Sequence, residues 1–165
     1  MKRWVWVLLI VSGLGLITIV GFYQIQIDAL QEPGNLETIF ATEAKQILIY
    51  RSSRDNIPPA PADLKISIEA GDKFFGTDCA QCHGFDGRTA TDAGRWMYPR
   101  AADLTSPQVQ QYSDQELFWI IKYGIRLSGM PAFGKVESDE HIWNLTHYTR
   151  TLRGTAAVAN EKTTK

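Results

Sequence analysis

Cysteine is scarce in this chain of 165 residues, which has only Cys79 and Cys82, both within one five-residue stretch. Two thiols this close together leave none for a disulfide framework. A structural zinc site needs four ligands, usually from two separated pairs, and the sequence has no second cysteine pair. No strand–helix–strand alternation surrounds the two cysteines, which argues against a thioredoxin-like dithiol.

An excess of positive charge is also missing. The chain has 17 basic and 18 acidic residues and a formal net charge of −1. A nucleic-acid-binding surface needs a basic patch or stripe, so the composition argues against nucleic acid as a partner. The same balance provides no strong long-range field to steer a charged partner.

The two cysteines belong to the pentapeptide Cys79-Ala80-Gln81-Cys82-His83. A C-x-x-C-H stretch is the attachment signal for a c-type haem. Two thiols add to the two vinyl groups of one porphyrin, and the histidine that follows is placed under the ring, where an imidazole nitrogen can bind the iron. The motif therefore predicts one covalent haem c on Cys79 and Cys82, with His83 as an axial ligand.

The sequence around and after this motif resembles the class I monohaem cytochromes c over about residues 67–153. The resemblance is carried by CAQCH, by the pair Gly71 and Phe75, by SDQELFWIIKYGIRLSGMPAFG from Ser113 to Gly134, and by IWNLTHYTRTL from Ile142 to Leu152. It implies a mainly α fold, with three or more short helices around one covalent haem.

The same resemblance implies two specific roles. The methionine of the family's Gly-Met-Pro segment is the second axial ligand, which corresponds to Met130 here. The family's glycine/aromatic pair in the first helix packs against an aromatic side chain of the last helix, which implies Gly71 and Phe75 against Trp143 or Tyr148.

The residues beside Met130 also favour it as the sixth ligand. Gly129 has no Cβ to obstruct an approach to the ring, and Pro131 holds the next residue rigid. A core methionine is the structural alternative, since Met commonly fills gaps in cores. The other candidate ligands in the sequence are Met97, His141 and His147, of which the two histidines are more typical of surface or packing positions on an amphipathic helix.

The long connection between the motif and Ser113 has little periodicity, and covering a flat prosthetic group would explain its length. A buried haem brings two propionates, which guanidinium groups pair with. The candidate contacts to the propionates or the ring are Arg100, Arg95, Trp96, Tyr98 and Pro131. The structural alternative is that the arginines are solvated surface charges.

One apolar run predicts the topology. Trp4 to Tyr23 contains twenty residues without a charge, about the length that spans a bilayer, and aromatic residues stand at both ends. Lys2 and Arg3 precede the run, so the positive-inside rule places the N-terminus in the cytoplasm. The alternative is a cleaved signal peptide, but the run is longer than an ordinary apolar signal region and Ile27-Asp28-Ala29 is a poor cleavage site.

The chain therefore divides into four predicted regions: an anchor (1–23), an amphipathic helix with a Pro-rich linker (24–66), a haem domain (67–153) and a flexible tail (154–165). In the second region, Asn35 is expected to cap a helix that ends near Arg54, and Pro58 to Pro61 is expected to act as a semi-rigid spacer. This helix has one apolar face, which the haem domain, the lipid interface or a partner protein could cover. The stiff spacer disfavours packing on the haem domain and the few basic residues disfavour a lipid surface, so a partner protein is the preferred cover.

Three further helices are expected in the haem domain. Ser67 is a plausible cap for the first, from Ile68 to about Asp78. Ser113 to Glu116 forms a capping box for the second, which Gly124 suits as an end, and Ser138 caps the last.

These features predict a membrane-anchored c-type cytochrome, without enzymatic activity, that transfers single electrons between membrane redox complexes or serves as a fixed haem subunit of one of them. The resemblance implies maturation on the outer side of a bacterial inner membrane, with the haem domain in the periplasm. Its partners would be the lipid bilayer and a redox complex, which could be a quinol-oxidising complex, a terminal oxidase or a reaction centre. The alternatives are a peroxidase or gas-binding protein with an open iron site, and an assembly subunit whose haem is structural.

Overall fold

A computed structural model describes residues 2–23, 33–54, 57–88 and 90–153. These residues are mainly helical and contain no strand, which confirms the predicted fold class. The helices are α1 (Lys2–Tyr23), α2 (Asn35–Ser52), α3 (Leu64–Asp78), α4 (Ala80–His83), α5 (Asp92–Trp96), α6 (Pro107–Gln110), α7 (Asp114–Tyr123), a 3-10 turn (Phe133–Lys135) and α8 (Asp139–Thr151). The chain forms two compact units, residues 1–32 and 33–165. The predicted tail, 154–165, lies outside the described residues.

Helix α1 is a continuous apolar helix. Its segment Arg3–Tyr23 has 21 residues, and the most apolar 18 of them have a mean hydropathy of 2.5. At 1.5 Å per residue such a helix is about 30 Å long, which matches the hydrocarbon core of a bilayer. By length and composition α1 fits a single-pass membrane anchor, a criterion that an N-terminal signal sequence also meets.

Helix α3 begins earlier than the sequence predicted. Asp63 is its N-cap, and the Asp63 carboxylate accepts a hydrogen bond of 3.0 Å from the Ile66 backbone N–H. The expected cap, Ser67, is instead buried in the first turns of the helix, where its hydroxyl lies 2.6 Å from Asn144 Oδ1 and 2.8 Å from His147 Nδ1. The prediction was wrong because a serine that serves a tertiary hydrogen bond has the same sequence signal as a cap.

The centre of the fold is the crossing of α3 and α8. Gly71 lies directly against the backbone of Asn144, and the Phe75 ring lies 5.0 Å from the Tyr148 ring. The expected glycine/aromatic contact is therefore confirmed with Tyr148 as the partner. Trp143 instead packs on Phe118 of α7, with ring centroids 4.7 Å apart.

Helix α7 completes this core and ends at the segment that carries Met130. Both hydrogen bonds of the predicted capping box, between Ser113 and Glu116, are present. Leu117, Phe118 and Ile121 are buried, and the last two belong to the same core cluster as residues of α3 and α8. Gly124 ends the helix with φ = 67°, a conformation that favours glycine, as the sequence predicted.

The long connection between α4 and α7 is pinned to the haem motif. The Thr91 hydroxyl and backbone N–H donate to the carbonyls of Gln81 and Cys82, at 2.5 and 3.1 Å. The Leu104 N–H donates to the Gly87 carbonyl at 2.7 Å. Two short helices, α5 and α6, fall within this segment, so it is folded over the motif despite its weak periodicity.

Helix α2 has the predicted extent, but Gly34 rather than Asn35 is its N-cap, with no side-chain hydrogen bond. The helix packs against α7 and buries Ile49 there. Downstream, the Trp143 indole donates to the carbonyl of Pro58 at 3.1 Å. The sequence favoured a stiff spacer that would prevent α2 from packing on the haem domain. In the structure α2 packs on α7, and Trp143 of α8 binds the Pro-rich segment through its hydrogen bond to Pro58. The predicted apolar face stays largely exposed: Leu36, Ile39, Phe40, Ile47 and Leu48.

Candidate haem site

The pentapeptide occupies one tight helical turn at the junction of α3 and α4. Cys79 ends α3, and its backbone N–H donates to the Phe75 carbonyl at 3.0 Å. The backbone N–H groups of Cys82 and His83 both donate to the Cys79 carbonyl, at 3.1 and 3.0 Å. Both thiols are free and half-buried. The turn therefore holds two thiols and an imidazole together without any disulfide between them.

The electrostatics of this turn argue against thiolate chemistry. Burial, together with a smaller effect of the neighbouring Asp78 carboxylate, raises the pKa of Cys79 to about 12. A reactive redox or metal-binding cysteine needs a lowered pKa, because the thiolate is the nucleophile and the ligand. A protonated Cys79 thiol fits a residue whose role is to form a thioether.

His83 has the protonation state and orientation that an iron ligand needs. Its Nδ1 lies 2.8 Å from the Ala102 carbonyl, which can only accept, so Nδ1 carries the proton and Nε2 keeps its lone pair. Burial lowers the pKa of His83, against a smaller opposing effect of the Ala102 hydrogen bond, and this favours the neutral ring. A ligating histidine commonly donates its other N–H to a carbonyl in this way. Ala102 contributes only its backbone, so no sequence signal could have identified it.

Met130 lies in a short loop that folds back over the end of α7. Its backbone N–H donates to Ser128 Oγ at 3.2 Å, and its carbonyl accepts from the Ile125 N–H at 3.4 Å. A Cβ at Gly124 would lie 2.7 Å from the carbonyl oxygens of Met130 and Pro131, so glycine is required for this return. The Met130 side chain is half-buried against the core cluster.

The second candidate methionine lies beside the same loop. A Cβ on Gly129 would overlap the Met97 thioether. The absence of a Cβ therefore lets the Met97 side chain approach the Gly129 backbone, whereas the sequence suggested only an approach of the haem ring. The structure thus places Met97 beside the loop that carries Met130. Variants that change one methionine at a time assign the sixth ligand.

The two remaining histidines have protein partners. His141 lies between two carboxylates, with Nε2 2.7 Å from Asp78 Oδ2 and Nδ1 3.1 Å from Glu137 Oε2. His147 Nδ1 bonds to Ser67 Oγ, and desolvation lowers the pKa of the His147 ring. Both histidines pack between helices, which favours the structural interpretation that the sequence analysis gave them.

The predicted ring and propionate contacts are spread over the loop. Arg95 forms an ion pair with Asp92 on the surface, and Trp96 is exposed. The Tyr98 hydroxyl donates to Glu37 Oε1 of α2 at 2.7 Å. The two other predicted contacts, Arg100 and Pro131, are solvent-exposed.

A third arginine of the loop is distinguished only by the structure. Arg88 Nη2 is buried and has no hydrogen-bond partner among the described residues. A buried guanidinium without an acceptor is costly, and an anion such as a propionate would satisfy it. Burial cannot be predicted for a loop without periodicity, which is why Arg88 is not among the candidate contacts that the sequence singled out.

The residues of this site fit a covalent haem. Two free thiols, a neutral imidazole with its Nε2 available and a thioether on a packed loop form the donor set of a His/Met haem centre. They would supply two thioether links and two axial ligands. The bound group would supply one-electron oxidation and reduction.

One protein-family model matches the part of the chain that contains this site. The family model described as cytochrome c oxidase, cbb3-type, subunit III, matches residues 67–148. No curated protein matches the chain.

Two solved structures are similar. One is named KustC0563 c-type cytochrome, with 26% identity over 50% of this chain and 96% of the other, and a TM-score of 0.45. The other is from the Kuenenia stuttgartiensis reducing HAO-like protein complex Kustc0457/Kustc0458, with 25% identity over 58% of this chain and a TM-score of 0.50. The match spans 51%, or about half, of that second chain. Through the segment 67–148 that the family model matches, which carries the C-x-x-C-H turn, the protein belongs to the class I monohaem cytochromes c.

Proposed function

We propose that this cytochrome is a membrane-anchored carrier that passes single electrons between membrane redox complexes. In this proposal Cys79 and Cys82 hold one haem c by thioether bonds, and His83 and Met130 are its axial ligands. The observation that carries the proposal is the hydrogen bond between His83 Nδ1 and the Ala102 carbonyl, which fixes the ring and leaves Nε2 as the nitrogen that could bind iron. With both axial positions filled by protein, iron has no open position for a substrate.

The chain's own residues would then set the redox behaviour. A thioether is a neutral, soft ligand that favours ferrous iron and raises the potential. The apolar core around Phe75 and Phe118 excludes water from one side of the site, which also disfavours the more charged ferric state. Arg88, with its unpartnered nitrogen, is our first candidate for a propionate partner, while Arg95 already has Asp92.

The partner is proposed to be a redox complex of the same membrane. The description of the matching family names a subunit of a terminal oxidase, and one structural neighbour comes from a redox complex. Both facts support a protein partner that exchanges electrons with the haem. Among the candidates, the family description favours a terminal oxidase over a quinol-oxidising complex or a reaction centre.

Helix α1 is proposed to stay on the mature protein as a single-pass anchor. Lys2 and Arg3 then keep the N-terminus in the cytoplasm, and the haem domain lies in the periplasm. Intact mass and N-terminal sequencing of the mature protein test this, because an anchored form keeps the apolar helix. A product that starts near Leu30 would instead be a secreted soluble carrier.

A redox titration of the protein in its native membrane tests the function. We expect one reversible one-electron wave, one haem per chain by intact mass, and ferrous haem that does not bind CO readily. Rapid CO binding or turnover of peroxide by the unmodified protein would favour the open-site alternative. A haem that never changes redox state when membranes are supplied with a quinol would favour a structural haem.

A further inference from the structure

Asp78, Glu137 and His141 meet where the end of α3 lies against the start of α8, and we call them the carboxylate–histidine cluster. His141 Nε2 lies 2.7 Å from Asp78 Oδ2, and His141 Nδ1 lies 3.1 Å from Glu137 Oε2. One ring nitrogen and one oxygen of each carboxylate all lie within 4.8 Å of one another. Cys79 follows Asp78 directly, so the cluster lies next to the haem donor set without belonging to it.

The charges of this cluster do not balance. A neutral imidazole has one N–H donor, whereas ionised carboxylates, which lie beside both ring nitrogens of His141, can only accept. A neutral ring therefore turns one lone pair toward a carboxylate, and even a protonated ring leaves one negative charge in excess. Among the described residues, His141 is the one ion-pair partner of Asp78 and of Glu137. A bound cation would correct this imbalance.

Neighbouring side chains hold two members of the cluster in place. The Thr77 hydroxyl lies 2.8 Å from Asp78 Oδ1, while Asp78 Oδ2 contacts His141. The Phe74 ring stacks on the His141 ring, with centroids 3.8 Å apart and an angle of 18° between the planes. The side chains of His141 and Asp78 are 15% and 17% exposed, so an ion can reach them although they are largely shielded from water. Metal ligands in proteins are commonly oriented by outer contacts of this kind.

The donor atoms of the cluster are those that Zn²⁺ prefers. Zinc binds imidazole nitrogen and carboxylate oxygen at about 2.0–2.2 Å, and three protein ligands with water in the fourth position are a common arrangement. Ligand atoms around such a tetrahedral ion lie about 3.4 Å apart, so small rotations of the two carboxylates would fit the cluster to it. Mg²⁺ and Ca²⁺ prefer oxygen ligands, so the imidazole favours a zinc-like ion over both.

We propose that Asp78, Glu137 and His141 bind one zinc-like divalent cation, which joins the end of α3 to the start of α8. The Asp78 charge already acts on the haem attachment, because it contributes to the raised pKa of Cys79. A divalent cation on Asp78 replaces that negative charge with a positive one and disfavours ferric iron, so its binding raises the midpoint potential of the haem. The metal site does not depend on the proposed electron-transfer function, and the potential shift needs only a haem on Cys79 and Cys82.

The first test measures Zn²⁺ binding to the intact, haem-loaded protein in detergent by calorimetry. We expect one Zn²⁺ per chain, with an affinity that millimolar Mg²⁺ does not reduce. His141→Gln should weaken binding about a hundredfold or more, since even the outer contacts of a metal ligand are worth about 10–100-fold. Glu140→Gln is the matched control, because it removes an exposed carboxylate beside His141 that is not in the cluster, and it should keep the wild-type affinity.

The second test separates a metal site from a purely structural cluster, in which His141 only bridges two carboxylates. Zn²⁺ should raise both the thermal unfolding midpoint and the haem midpoint potential of the wild type and of Glu140→Gln. At the same Zn²⁺ concentration both shifts should be lost in His141→Gln and in Glu137→Gln. The Glu137 side chain is 30% exposed and glutamine has the same shape, so this variant tests the site even if His141→Gln folds poorly.

The proposal is overturned if the wild type binds no Zn²⁺ at millimolar concentration, or if His141→Gln keeps the wild-type affinity. It is equally overturned if Mg²⁺ displaces Zn²⁺ at a comparable concentration, because that would indicate nonspecific binding to acidic side chains. Zinc binding that leaves the haem potential unchanged would refute the proposed effect on the haem. A haem that undergoes no reversible reduction in membranes would refute the proposed function, and the calorimetry distinguishes that result from a failure of the metal site.

Discussion

Helices α2 and α8 carry similar apolar side chains but bury them to different extents. Ile142 and Leu145 of α8 are 0% exposed, whereas Leu36 and Phe40 of α2 are 71% and 72% exposed. The difference follows from their neighbours, because α8 packs against both α3 and α7, whereas α7 is the main helix that α2 contacts among the described residues. The spacing of apolar residues predicts that a helix has an apolar face. How far that face is buried depends on how many other helices of the same chain pack against it. The α3–α8 crossing therefore holds the haem domain together, and α2 keeps surface for other molecules.

The largest expected effect tests the α3–α8 crossing at Gly71. A Cβ there would overlap the Asn144 carbonyl and lie 2.8 Å from Tyr148 Cβ, so Gly71→Ala forces the two helices apart. We expect a loss of about 3 kcal/mol in the free energy of unfolding, at the upper end for overpacked cores. Chemical denaturation of the haem-loaded protein measures it.

Gly76→Ala is the control on the same helix. The nearest atom to its added Cβ would be Phe85 Cε1, at 3.6 Å, an ordinary contact. Alanine has the higher helix propensity, so this variant should be neutral or more stable by up to about 1 kcal/mol. Equal losses at both glycines would mean that the crossing is not the close contact described here.

A smaller effect is expected for the attachment of α2. Ile49 is 2% exposed against α7, and Ile49→Ala should cost about 2 kcal/mol, the lower end for buried aliphatic truncation. Ile39, on the exposed face, is 57% exposed, and Ile39→Ala should change the stability by less than about 0.5 kcal/mol. A similar cost for both would show that α2 is covered on both faces in solution.

The smallest effect concerns acid sensitivity at the Ser67–His147 contact. Desolvation lowers the pKa of His147 in the folded protein, although the Asp114 charge opposes the shift. The unfolded chain therefore takes up this proton first, so stability is complete above the ordinary pKa of about 6.5 and falls as the pH drops below it. Thermal unfolding midpoints between pH 7.5 and about pH 5 should fall less in His147→Gln than in the wild type. An identical pH profile in both would remove His147 as a source of the acid sensitivity.

Local patterns predicted most of the helices and the donor set. The capping box at Ser113, the cap at Ser138 and the stop at Gly124 are short-range features, and the structure contains all three. The C-x-x-C-H turn is equally local, since the hydrogen bonds that close it run from the backbone N–H groups of Cys82 and His83 to the Cys79 carbonyl.

Contacts between distant residues were less predictable. Ser67 was predicted to be a helix cap because the sequence does not show its contacts with Asn144 and His147 across the α3–α8 crossing. The Ala102 carbonyl that orients His83 has no side-chain signal, and the buried Arg88 nitrogen depends on how the loop folds. The packing of α2 on α7 was missed for a related reason, since proline stiffness limits the shape of the linker but not its direction.

The central claim is that Met130 is the sixth ligand of the haem iron, and a matched pair of methionine variants tests it most directly. Met130→Ala and Met97→Ala remove thioethers that the structure brings to the same side of the molecule. The optical spectrum of each ferric variant is recorded, followed by the CO reactivity of the ferrous form and the midpoint potential. Our account predicts that Met130→Ala alone loses the weak band at the red end of the visible spectrum, binds CO and has a lower potential. An unchanged Met130→Ala, or loss of the band in Met97→Ala, would contradict it.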